Sequence, residues 1–476
     1  MMNKKRRPRK LETRITIGIF LTLFSAMIIY LCIYVHNNEQ VLMSNSYNSR
    51  QKILAKENLR GSIYDKYGEV LAYSESNGST DERIYPYKNL FSHVVGYHTK
   101  GKSGIESFAN FYLINSNISL TEKAENDLNG VKNPGNSVYT TLDTKLQQIA
   151  GDSLGMFKGA IVVSDVKTGA ILAMVSKPDF DPSTVDEDWD KYLNMSNDNS
   201  VLLNRATQGQ YPPGSTFKII TALEYIRENP DSYKNYRYTC NGRYTNGSDI
   251  NISCFHGSTH GDEDFYKSFA KSCNASFANI GMSLDRDKFG KTLNELLYNE
   301  KLPLDINYNV SRLNVDSSIS DYDMSQISIG QGNATISPIQ LNMITNAIAN
   351  DGMLMKPMLI TEVVDANNMI IKEYQPEEYK RLMSEDEAAA MTDLMAEVVE
   401  TGTGTRLQSE YYTAAGKTGS AEYNGNSLDS HAWFTGFAPV DDPKVSVTII
   451  VEGVGTGGEY AVPIAKRIID AYFGVY

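Results

Sequence analysis

The sequence predicts an α+β protein anchored in a membrane. β-rich runs bracket a long helical middle, and an uncharged apolar run stands near the N-terminus. The β-rich runs cover residues 160–165, 169–175, 432–438 and 445–451, while 217–395 is mostly helical in pattern. Strands at both ends enclosing helices imply a domain whose antiparallel sheet is completed by N- and C-terminal segments, with a helical subdomain between them. A chain of 476 residues exceeds one ordinary core, so a second, smaller module is expected. Composition is that of a folded protein, 41% hydrophobic and 21% charged, with no low-complexity tract and no internal repeat.

The elements follow in order. Residues 15–35 lack charge and are long enough to cross roughly 30 Å of hydrocarbon as a helix. Lys4, Lys5, Arg6, Arg7, Arg9, Lys10 and Arg14 precede them and orient residues 1–14 toward the cytoplasm. The run ends Leu31-Cys32-Ile33-Tyr34-Val35-His36 with no small-residue cleavage site, so an uncleaved anchor is expected. The net charge is −12 despite that basic tail, so the exterior is acidic, carries no Arg/Lys stripe and does not suit nucleic acid.

Residues 36–136 read as a small α+β pedestal. A polar helical stretch comes first, then strand–turn–strand over 60–68, with Asp65 opening the turn and Gly68 permitting positive φ. The texture changes at Ser137, where a domain over 137–476 begins. Residues 138–142 read as a strand, and Asp143 caps the helix through Gln147 and Ile149. The runs 160–165 and 169–175 form a hairpin around Lys167-Thr168-Gly169, and 458–472 closes the chain as a helix.

Cys240, Cys254 and Cys273 fall outside the anchor. Three are not a disulfide scaffold; Cys240 and Cys254 pair only if folding brings them together, and free thiols are the equal alternative. A zinc site with His256 or His260 is disfavoured by the absence of paired C-x-x-C spacing.

Three short motifs carry chemistry. Pro212-Pro213-Gly214-Ser215-Thr216-Phe217-Lys218 places Ser215 at a helix start with Lys218 on the same face. A serine needs an adjacent base, a desolvated lysine can serve, and free N–H groups at a helix start favour an oxyanion. Taken alone, S-x-x-K is common and serine is an ordinary cap. Ser272-Cys273-Asn274 offers a hydroxyl for proton relay and an amide for Lys218 or substrate, or merely a polar turn. Gly416-Lys417-Thr418 is no phosphate loop, because the earlier glycine of that pattern falls at Tyr411. It reads as a strand: Lys417 gives charge, Thr418 a hydroxyl, Gly419 close approach for substrate, and Ser420 an N–H donor.

In that order, S-x-x-K, S-x-N and K-T-G resemble the signature set of penicillin-binding proteins and serine β-lactamases. Ser-Cys-Asn in the middle is similar to class B penicillin-binding transpeptidases. Arg60-Gly61, Gly104-Ile105-Glu106, His260-Gly261, Gly330-Gln331-Gly332 and His431-Ala432-Trp433-Phe434 extend the resemblance from Arg60 to the C-terminus.

The resemblance implies that Ser215 attacks the penultimate D-alanine carbonyl of a D-Ala-D-Ala stem peptide and that a neighbouring stem amine then takes the acyl group. Lys218 would be the base, Ser272 the proton shuttle and Asn274 the holder of Lys218 and substrate amide. Lys417 and Thr418 would hold the carboxylate, beside Gly419, with the N–H groups of Ser215 and Ser420 as oxyanion hole. It implies no cofactor, nucleotide or metal, covalent inhibition by β-lactams, and a catalytic domain outside the cell. Tyr47 to Asn136 is too short for a glycosyltransferase domain, so the resemblance also implies a polytopic SEDS-type glycosyltransferase as partner. The alternatives are a membrane-anchored β-lactamase using a glutamate such as Glu295, a β-lactam sensor, or a non-catalytic scaffold.

Overall fold

The computed structural model describes residues 10–37, 49–77, 80–196, 199–247, 250–423 and 426–475. They form two compact units divided between Glu57 and Asn58. In the first, the helix Lys10–Asn37 contains the 24-residue span Glu12–Val35, whose most apolar 18-residue stretch has mean hydropathy 2.3 with no residue buried. Phe20, Leu21, Met27 and Ile28 are exposed on its surface, so the helix is long and apolar enough to lie in a bilayer. The helix Ser49–Glu57 accounts for part of the polar stretch expected after the anchor; the rest of that stretch, 38–48, lies outside the described residues.

The second unit is built on two sheets. One is a five-stranded antiparallel sheet. Its spatial order is Ala415–Tyr423, Asn426–Ala438, Val445–Val451, Gly159–Asp165 and Ile171–Lys177. The C-terminal strand Val445–Val451 thus pairs with Gly159–Asp165, closing the sheet as the sequence implies. Period-2 geometry sends successive side chains to opposite faces, and here both faces are covered. Ile161, Val163 and Ile449 pack with the helices Thr144–Leu154 and Ala461–Phe473. Ala160, Val162 and Ile450 share the other core with the helix Pro338–Ala349, in which every residue is buried. That is why every position of Val445–Val451 is buried, the polar Ser446 and Thr448 as well as the five apolar side chains. Each such side chain contributes about 2 kcal/mol on burial.

Several polar groups at this helix–sheet contact bond one another. Asn342 Nδ2 donates to Ser446 Oγ at 2.9 Å, Asn346 Nδ2 donates to Ser164 Oγ at 2.9 Å, and the Thr345 and Thr435 hydroxyls bond at 2.6 Å. In a dry interior an unpaired polar atom is expensive, so this network fixes one register of helix on sheet.

The second sheet has six strands, in the order Ile370–Glu373, Ile360–Val364, Ser137–Thr140, Ile63–Tyr64, Val70–Ser76 and Asp81–Ile84. It crosses the boundary expected at Ser137: Ser137–Thr140 pairs parallel with Ile63–Tyr64 and antiparallel with Ile360–Val364. Short pedestal strands alone would be marginal, and joining them to Ser137–Thr140 and Ile360–Val364 buries Ile63, Val138 and Val363 completely.

Asp65 does open the turn, with Gly68 at φ +89°. It is buried, accepts from the Tyr67 and Glu69 N–H groups at 2.8 and 2.9 Å, and accepts from Thr144 Oγ1 at 2.8 Å. The flanking segments around Arg60 and Glu106 also meet. Glu106 takes Arg60 Nε at 2.6 Å and Arg83 Nε at 2.7 Å, all three side chains being nearly inaccessible. Burial alone would raise its pKa, but the two guanidinium groups hold the carboxyl down at about 2.

Candidate active site

Ser215 lies on a 3₁₀ turn, Gly214–Phe217, that runs directly into the helix Lys218–Glu228. Pro212 and Pro213 prevent an earlier helix start. The turn is pressed against the strand Ala415–Tyr423. Gly214 has φ +52°, and a Cβ on it would lie 2.7 Å from the Ser420 carbonyl oxygen. A Cβ on Gly419 would meet Thr216 Cγ2 at 2.9 Å and the Pro213 carbonyl at 3.0 Å. Gly419 therefore lacks a side chain to admit the Ser215 turn, a reason additional to the substrate approach expected from sequence.

Lys218 is fully buried and sits at the centre of the site. Its Nζ lies 3.2 Å from Ser215 Oγ, 2.7 Å from the Ser272 carbonyl, 3.2 Å from Ser272 Oγ and 2.7 Å from Asn274 Oδ1. The two shortest contacts go to pure acceptors, a carbonyl and an amide oxygen. A neutral amine can donate to both and keep its lone pair for a proton from a hydroxyl. Burial pushes the Lys218 pKa down to about 8, opposed by the negative potential of Cys273, Cys254 and Glu263. The ring beside Nζ is that of Phe277, centred 5.5 Å away; Phe217 instead packs on Phe289 and Tyr298.

Ser272 lies between the helices Phe265–Ala270 and Asn274–Ser283, with φ +57°, a left-handed conformation uncommon for serine. This geometry puts its hydroxyl between two lysines, 3.2 Å from Lys218 Nζ and 3.0 Å from Lys417 Nζ. Asn274 is held from its other end, its Nδ2 donating to the Ser253 carbonyl at 3.0 Å. Lys417 pairs with Thr435 in the sheet, is fully buried, and has its ammonium disfavoured by burial and by Lys218.

All eight residues singled out by sequence therefore lie in one region. Ser215, Ser272, Asn274, Thr418, Gly419 and Ser420 line an open cleft of about 1040 Å³, and Lys218 and Lys417 stand just beneath it. One neighbour was missed: Thr403 lines the same cleft, and its hydroxyl bonds that of Thr418 at 2.5 Å. The Thr-Gly-Thr-Gly-Thr run at 401–405, just past the helix Glu385–Glu400, was the available signal. Glu295 does not line the cleft; it ends the helix Arg286–Glu295 and pairs with Arg227 at 2.8 Å. Glu422, two residues beyond Ser420, is the carboxylate among the described cleft residues.

A two-sheet α+β fold holding a buried lysine against a helix-start serine defines the class. The chain belongs to the penicillin-binding protein family: residues 159–470 match the penicillin binding protein transpeptidase domain. Residues 60–138 match the penicillin binding protein A dimerisation domain. The chain is 30% identical over 475 residues to the peptidoglycan D,D-transpeptidase PbpA of Mycolicibacterium smegmatis, covering 91% of each chain. It is 27% identical over 440 residues to the D,D-transpeptidase MrdA of Acinetobacter baumannii, covering 82% of this chain and 65% of that one. Among solved structures, the penicillin G acyl-enzyme complex of penicillin-binding protein A from M. tuberculosis superposes with a TM-score of 0.78 at 28% identity. That match covers 87% of this chain and 100% of the other.

Proposed function

We propose that this chain is a peptidoglycan D,D-transpeptidase working through an acyl-enzyme on Ser215. The observation that carries the reading is Lys218: buried, 3.2 Å from Ser215 Oγ, with its strongest contacts made to groups that can only accept. Ser215 Oγ attacks the penultimate D-alanine carbonyl as its proton passes to Lys218 Nζ. The oxyanion forms near the Ser215 and Ser420 N–H groups. Ser272, bonded to both lysines, passes a proton to the leaving D-alanine amine, and the carbonyl re-forms as the acyl-enzyme. An amine from a second stem peptide reverses the steps and leaves the cross-link.

Lys417 and Thr418 receive the substrate carboxylate, which restores the charge that burial disfavours on Lys417. Asn274 orients Lys218 and the substrate amide, and β-lactams acylate the same serine. The apolar helix anchors the chain with residues 1–14 in the cytoplasm and the catalytic unit outside, where a SEDS-type glycosyltransferase supplies nascent glycan strands.

The test uses the full chain in detergent with a D-Ala-D-Ala stem peptide and an acceptor amine. Release of D-alanine and a cross-linked product, both absent in Ser215→Ala, are expected. Stem peptide left intact by a folded protein would instead indicate a scaffold. Rapid turnover of penicillin without cross-linking would indicate a β-lactamase.

A further inference from the structure

We propose that Cys240, Cys254, His260 and Cys273 form a Zn²⁺ site that clamps the Ser272–Asn274 turn from behind. The sequence has no paired C-x-x-C spacing, yet folding brings one ligand atom from each of these four residues within 4.8 Å of the others. Cys240 ends the strand Arg237–Cys240, which pairs with Gly261–Asp264 just after His260. Cys254 follows the strand Ile250–Ser253, and Cys273 caps the helix Asn274–Ser283.

The distances fit a metal better than a disulfide. A tetrahedral zinc with bonds of about 2.3 Å to sulfur and 2.0 Å to nitrogen sets S···S near 3.8 Å and S···N near 3.5 Å, roughly. The observed spacings are 3.6 Å for Cys240–Cys254, 3.7 Å for Cys254–Cys273 and 3.4 Å from Cys240 Sγ to His260 Nδ1. A disulfide would need about 2.0 Å between one pair and would strand the third thiol. All three cysteines are free and buried.

The surroundings also suit thiolates. Each sulfur receives one backbone N–H: Gly242 to Cys240 at 3.4 Å, Ala275 to Cys254 at 3.5 Å and Ser276 to Cys273 at 3.4 Å. Such bonds around a metal orient its ligands and spread their charge. Glu263, only 2% exposed, lies against Cys273, and neither of its oxygens has another partner among the described residues. A buried carboxylate in that setting calls for a nearby cation. Soft sulfur ligands in a tetrahedral set select zinc over magnesium or calcium. Cys254 and His260 line the cleft, which gives the ion a way in.

The clamp has a consequence for the site. Cys273 is flanked by Ser272 and Asn274, and Cys254 follows Ser253, whose carbonyl holds Asn274. A metal joining Cys254 to Cys273 fixes Ser272 and Asn274, two of the three residues that Lys218 contacts, so the four ligands are positioning residues.

The full chain, purified in detergent without chelator from zinc-supplied cells, is assayed for metal by mass spectrometry and for thiols after unfolding. One zinc per chain is expected, with a sharp loss in Cys240→Ser and in His260→Ala. Cobalt in its place should give the visible and thiolate charge-transfer bands of a tetrahedral site. Stripping the metal should slow β-lactam acylation at least about tenfold, with recovery on adding zinc but not magnesium. A metal-free wild type, a disulfide among the three cysteines, or zinc retained by both variants would overturn the site. Unchanged acylation after stripping would overturn the clamp. Because metal content is read without reference to activity, failure of the site and failure of the transpeptidase reading are separable.

Discussion

Replacing Lys218 with arginine separates a general base from a fixed positive charge. The lysine is fully buried, and burial lowers its pKa from 10.5 to about 8. At pH 7 that change raises the neutral fraction from about one molecule in three thousand to about one in ten. Arginine keeps the charge and is effectively never deprotonated, so Lys218→Arg removes the acceptor for the Ser215 proton while retaining the electrostatics. General-base contributions of roughly 10²–10⁴ then predict that acylation slows at least about a hundredfold. Stopped-flow acylation by a reporter β-lactam measures the rate, with thermal melting as the control for folding. The wild type supplies a second test that needs no variant. Its acylation rate should rise with pH as the amine deprotonates, tenfold per unit at the acid end, and level off above about 8. A folded Lys218→Arg protein with near-normal rates, or a wild-type rate flat across that range, would remove Lys218 from the base role.

Ser272→Ala should leave folding intact, because the turn's carbonyl contact to Lys218 remains. It should slow D-alanine release more than β-lactam acylation, since a β-lactam keeps its leaving nitrogen tethered; equal losses would argue against the shuttle role. Glu106→Gln should lower stability by about 3–5 kcal/mol in urea unfolding, because it leaves Arg60 and Arg83 buried without their anion. The folded Glu106 pKa lies below its ordinary value, so this stabilisation is full above about pH 4.5 and fades as pH falls toward about 2. A Glu106→Gln protein with unchanged unfolding at neutral pH would contradict that coupling.

Much of the catalytic unit was legible because its signals are local. The hairpin around Lys167-Thr168-Gly169, the strands ending in Ala438 and Val451, and the Asp143 cap each follow from a few adjacent residues. S-x-x-K was legible for the same reason, since three residues of helical rise fix Ser215 against Lys218. What depends on distant contacts was not legible. Residues 138–142 read locally as a strand, but no local pattern announces that the pedestal sheet pairs with it and with 360–364. Gly419 was read through substrate alone, but its packing against Thr216 and Pro213 appears only when the sheet and the nucleophile turn are brought together. Likewise the aromatic neighbour of Lys218 is Phe277, far along the chain, rather than the adjacent Phe217. For Cys240, Cys254 and Cys273 the sequence offers a Cys240–Cys254 pair or free thiols equally, and disfavours zinc for want of paired C-x-x-C spacing. Their convergence with His260 comes from strand pairing and a helix cap, which spacing does not encode.

The central claim is that Ser215 carries the acyl group, and peptide mapping after labelling with penicillin tests it most directly. The adduct should sit on the peptide containing Pro213-Gly214-Ser215, vanish in Ser215→Ala, and persist for many minutes. An adduct on Ser272 or Ser420, or labelling that survives Ser215→Ala, would contradict the assignment.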